Sequence, residues 1–97
     1  MSKYHEPELK AGQIIKTVFT TDTVPGVRPM TPGYFIVGDA HQSFTAKFSC
    51  MVYALLRCTK EGRIRSTYIH PMSAEFIDGK IRAGEASIFS PLWHNGG

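Results

Sequence analysis

Residues 44–59 alternate with a period of two. Phe44, Ala46, Phe48, Cys50, Val52, Ala54, Leu56 and Cys58 are all apolar or small, and Thr45, Lys47, Ser49, Arg57 and Thr59 stand between them. Met51, Tyr53 and Leu55 are the apolar exceptions at odd positions. Such a period sends alternate side chains to opposite faces of a strand. The pattern predicts one long strand with its even positions inward and its odd positions outward. Lys60-Glu61-Gly62 then reads as a three-residue hairpin loop with Gly62 in the left-handed region. That register sets Cys58 opposite Ile64, Arg57 opposite Arg65, and Ala54 opposite Tyr68, which keeps apolar positions facing apolar ones.

The flanking segments continue the theme. Residues 13–21 are β-branched and aromatic, as a strand requires. Residues 22–33 hold Pro25, Pro29 and Pro32 with Gly26 and Gly33, which excludes regular structure and predicts a long loop. A short strand follows at 34–37. At 75–82, Asp78-Gly79 between apolar residues predicts a tight hairpin that pairs Phe76 with Ile81 and Glu75 with Arg82. Residues 86–89 suit a last strand. Residues 1–12 are polar and suit a loose arm or edge segment, and 94–97 a frayed end. A rival reading caps a helix at Ser49 and runs it over 50–61 to Gly62, which would make the domain α+β. The preferred architecture is mainly β: one antiparallel meander of five to seven strands, rolled into an open barrel or curled sheet.

Ninety-seven residues make a single domain, 1–97, with room for one modest core. No apolar run approaches the ~18 residues of a membrane helix, and the start lacks the apolar stretch of a signal peptide. A cytoplasmic protein is the expectation, the host cytoplasm if the chain is phage-encoded. Cys50 and Cys58 would lie about 26 Å apart on one extended strand, too far for a disulfide. Both are expected as free, buried thiols.

Charge narrows the choice of partner. The net charge of +3 is concentrated: residues 40–74 hold Lys47, Arg57, Lys60, Arg63 and Arg65 against Glu61 alone. On the strand reading Lys47, Tyr53, Arg57, Arg63 and Arg65 share the outer face. Two arginines directly opposite repel, and an anion between them would accept bidentate hydrogen bonds. Tyr53 could stack a base beside such phosphate contacts. Arg28, amid the prolines of the long loop, is a further ligand-binding candidate. If this face is right, replacing Arg57 and Arg65 together by Gln leaves stability unchanged or slightly raised.

Catalytic chemistry finds little footing. There is no nucleophile elbow, phosphate loop or dinucleotide fingerprint. His5, His41, His70 and His94 lack zinc-site spacing, so no metal and no cofactor is expected. His41 near Asp39 is the one acid–base pair, and His70 falls at an inward position. The sequence therefore points to a small non-enzymatic binding module for an anionic ligand, a nucleic-acid backbone or a nucleotide phosphate. The alternative is an accessory or inhibitor protein of the phage or plasmid type that docks on a host protein, with Trp93 and Phe89 as anchors. Open sheet edges would also permit a homo-oligomer.

Overall fold

The computed structural model describes residues 6–23, 25–26, 28–44 and 49–89. They form a mainly antiparallel, curled sheet with one short helix. Strands β1 (Ile14–Thr17), β2 (Gly33–Val37), β3 (His41–Phe44), β4 (Ser49–Cys58) and β5 (Ile64–Ser73) come first, then helix α1 (Ala74–Arg82) and strand β6 (Ala86–Ile88). β1 pairs with β2, β2 and β3 both pair with β4, and β5 takes the other side of β4. β6 returns beyond the helix to pair with β1. The expected meander is present, and its last strand closes back beside the first without sealing a barrel.

β2 and β3 act as one bent strand. The register runs from Val37↔Leu55 to His41↔Val52, so residues 38–40 face only 53 and 54, a one-residue bulge. The Gly38 N–H donates to the Ala54 carbonyl at 2.7 Å and keeps the ladder closed across it. The predicted single strand over 44–59 is therefore corrected to a hairpin: Phe44 pairs with Ser49, and the chain reverses between them. Lys47 lies outside the described residues. The helix weighed for 50–61 is also corrected, since β4 is strand throughout.

The predicted loop at 60–62 holds. Gly62 has φ 93°, its N–H donates to the Thr59 carbonyl, and Thr59 pairs with Arg63. Cys58↔Ile64 follows as expected, but Leu56↔Ile69 comes next. Residues 65–68 thus face Arg57 alone. Arg57 and Arg65 are not cross-strand partners, and Ala54 pairs with Pro71 rather than Tyr68.

The segment 75–82 corrects a second expectation, because it is helix and not hairpin. Ser73 caps it by accepting from the Phe76 N–H at 3.3 Å, Glu75 lies in the first turn, and Lys80 and Arg82 lie in the last. Ala74 and Ile77 recur at helical spacing and pack on the sheet. Gly79 costs about 1 kcal/mol in a helix interior. Burial of Ala74, Ile77 and Asp78 on the same helix offsets that.

The core lies between this helix and one face of the sheet. Ile15, Phe35, Tyr53, Leu55, Ala74 and Ile77 are fully buried there, with Leu9 and Met30 added from the flanking loops. Parity in β4 is thus the reverse of the expectation: Met51, Tyr53 and Leu55 face the helix, and the even set faces away. Val52 and Cys58 are buried as well, in the even set of β4, where Ile14, Ile36 and Leu56 stand in register across three strands. Cys50 and Cys58 are free thiols, and burial pushes the Cys58 thiol up against the opposing pull of Arg57. No helix among the described residues is long and apolar enough to cross a membrane.

Candidate functional site

The site residues separate into a supporting group and a displayed group. Tyr53 belongs to the first. It does not project to solvent; its hydroxyl donates to Asp78 Oδ1 at 2.8 Å and accepts from the Leu9 and Glu8 N–H groups at 2.9 and 2.8 Å. The Glu8 N–H also reaches Asp78 Oδ2 at 3.2 Å, and Arg82 pairs with the Glu8 carboxylate at 2.8 Å. Burial, reinforced by Asp78, pushes the Tyr53 hydroxyl up to about 12. Residues 6–12, read as a loose arm or edge segment, are pinned by this node.

Arg57 is also a supporting residue. Its register partner is Phe35, and its guanidinium lies over that ring at 4.7 Å. Nη2 donates to the Thr31 carbonyl at 3.0 Å and the Thr31 hydroxyl at 2.6 Å, and Nη1 donates to the Pro32 carbonyl at 3.2 Å. Gly33 makes room for it, since a Cβ there would run into Nη1. Arg57 therefore anchors the end of the long loop. Nearer its start the loop is fixed by Thr21 N–H to Met30 carbonyl (3.0 Å) and Met30 N–H to Thr21 Oγ1 (2.8 Å).

The anchored loop walls a cleft of ≈610 Å³, a size that suits a small ligand. Phe19, Met30, Tyr68, His70, Met72 and Phe76 give it aromatic and apolar walls. Arg28 is displayed at its edge. Its backbone N–H donates to the Tyr68 hydroxyl at 3.3 Å, and its guanidinium lies over the Tyr68 ring at 4.5 Å. Among the described residues that guanidinium has no acidic partner. Opposite, Phe19 meets Phe76 edge-on at 5.8 Å, and Lys80 lies over both rings while paired with Glu85 at 2.8 Å.

His70 joins the two groups. It meets Phe35 at 5.7 Å and Tyr68 at 4.8 Å, both edge-on. Cation, three rings and cation thus run in contact from Arg57 through Phe35, His70 and Tyr68 to Arg28. Burial pulls the His70 imidazole below its ordinary value, and the charges of Arg57 and Arg28 pull the same way.

A second concavity of ≈570 Å³ lies beside the 60–62 loop, lined by Gly33, Tyr34, Arg57, Lys60, Glu61 and Arg65 among others. It collects part of the expected basic face. Arg63 is exposed nearby in sequence but does not line it. Phe89, expected as a partner anchor, packs edge-on against Tyr34 at 5.2 Å, and its N–H donates to the Ile14 carbonyl. Trp93 lies outside the described residues. No trio of His, Cys, Asp or Glu among the described residues could hold a metal ion.

Sequence reasoning had singled out Arg28 but not its setting. Tyr68, Phe19, Phe76 and Lys80 carried no signal, because their convergence depends on the path of the loop and on the helix. Comparison with protein-family models, with curated proteins and with solved structures found no match to this chain.

Proposed function

We propose that the protein is a small binding module for an anionic ligand that carries a planar ring, a nucleotide or an unpaired base with its phosphate. The observation that carries this reading is the Arg28 guanidinium, held over Tyr68 at the rim of an aromatic cleft with no acidic partner among the described residues. A base would stack against the ring walls, a contact worth about 1–3 kcal/mol. The phosphate would take the unused guanidinium donors in a charge-assisted pair. Lys80 is the lesser cation here, because Glu85 already neutralises it.

The test is titration of isotope-labelled protein with AMP, GMP, CMP and UMP at low salt. Amide shifts are expected to cluster at Phe19, Arg28, Tyr68 and His70 and to shrink as salt rises. Arg28→Gln should weaken binding about tenfold, the loss of one charged contact, while the lost contact with Tyr68 lowers the melting temperature by no more than about 2–6 °C. Absence of binding by all four nucleotides at millimolar concentration overturns the reading.

A further inference from the structure

We infer that the ligand is a single-stranded polynucleotide, which enters the cleft with one base and lays its neighbouring phosphates in the basic concavity beside the 60–62 loop. This deepens the proposed function and rests on it. The two concavities are built from the same two segments. Residues 28–33 give Arg28 and Met30 to the cleft and Gly33 to the concavity, and residues 65–70 give Tyr68 and His70 to the cleft and Arg65 to the concavity.

The irregularity in the β4–β5 ladder produces this arrangement. Because 65–68 face Arg57 alone, the strand departs from regular pairing between the two sites. Two residues of chain separate Arg65 from Tyr68, at most about 11 Å between Cα atoms. A ligand anchored on Tyr68 and Arg28 therefore has Arg65 within reach of its next units, and Lys60 lines the same concavity as Arg65.

The two surfaces also differ in the way a strand requires. The cleft is ring-walled and offers one cation, Arg28, without an ion-pair partner among the described residues, and one acid, Asp22. The concavity offers the charges of Arg65 and Lys60, neither with an ion-pair partner among the described residues, and one acid, Glu61. A mononucleotide is served by the cleft alone and leaves the second surface without a role. A strand uses both, stacking at one and phosphate contact at the other. A duplex would keep its bases stacked inside and leave the cleft unfilled.

The experiment compares AMP, UMP and TMP with the single-stranded hexanucleotides of the same bases, on the full chain and on the Lys60→Gln/Arg65→Gln variant. Both replaced side chains are exposed, so the variant should fold as the parent does. The expected result is a hexanucleotide bound at least about thirtyfold more tightly than its monomer. The variant should lose that advantage, with its salt slope reduced by about one, and keep its monomer affinity. A hexanucleotide bound no better than its monomer overturns the inference and leaves the proposed function standing. So does an advantage that survives in the variant. Failure of monomers and strands alike removes both.

Discussion

Arg57 on Phe35, and Arg28 on Tyr68, are two versions of one chemical pair put to different uses. In the first region the polar groups turn inward: the Tyr53 hydroxyl makes three hydrogen bonds, and the Arg57 guanidinium, over Phe35, makes three to the loop. In the second, Arg28 lies over Tyr68 at nearly the same distance as Arg57 over Phe35, and its guanidinium has no acidic partner among the described residues. A cation on a ring is thus no mark of a site. The accounting of its remaining donors separates a brace from a binding group.

The sharpest way to break this contrast is Tyr53→Phe. The ring stays, but the buried Leu9 N–H loses its acceptor, and Asp78 and the Glu8 N–H each lose one of their partners. Losses of this kind cost about 2–3 kcal/mol together, or a fall of roughly 10–20 °C in melting temperature for a domain this size. Thermal unfolding followed by circular dichroism measures it. A fall of only a degree or two would mean that residues 6–12 are not held as described.

Arg57→Gln comes next. It removes the three bonds to Thr31 and Pro32 and the contact with Phe35, an expected loss of about 1–2 kcal/mol. Arg65→Gln should stay within about 0.5 kcal/mol of the parent. This replaces the expectation that losing both arginines is harmless, which rested on their standing opposite one another. Urea titration of the two single variants distinguishes the cases, and equal midpoints would return Arg57 to the displayed group.

Much of the fold was legible in local chemistry, and its errors share one origin. The Lys60-Glu61-Gly62 turn and the Cys58–Ile64 register could be read because a glycine with positive φ and an apolar pairing settle them within a few residues. The helix at 74–82 was missed because Asp78-Gly79 is a strong local turn signal. What defeats it is tertiary: Asp78 is held by Tyr53 and Glu8, far off in the chain. Parity in β4 failed because both faces of that strand are apolar near its middle, so a two-residue period could not tell the helix side from the other. Arg57 was misplaced with it. Arg28 was found by composition alone, and its partner Tyr68 stands forty positions away, across a loop whose path no local rule sets.

The smallest expected effect concerns His70, where the two regions meet. Its imidazole is buried between Phe35 and Tyr68, and that burial, with Arg57 and Arg28 nearby, holds its pKa below the ordinary 6.5. Above that value neither the folded nor the unfolded chain carries the proton, and stability is unaffected. As pH falls through 6.5 the unfolded chain takes up a proton that the folded one refuses, so stability declines until the lower folded value is passed. The slope cannot exceed about 1.4 kcal/mol per pH unit from this one group. Unfolding free energies between pH 7.5 and 5.5 should therefore fall more steeply for the parent than for His70→Gln, with the other histidines common to both. Parallel curves would mean that His70 protonates as freely in the folded state as in the unfolded one. The ring contacts that join the brace to the cleft would then be open to water.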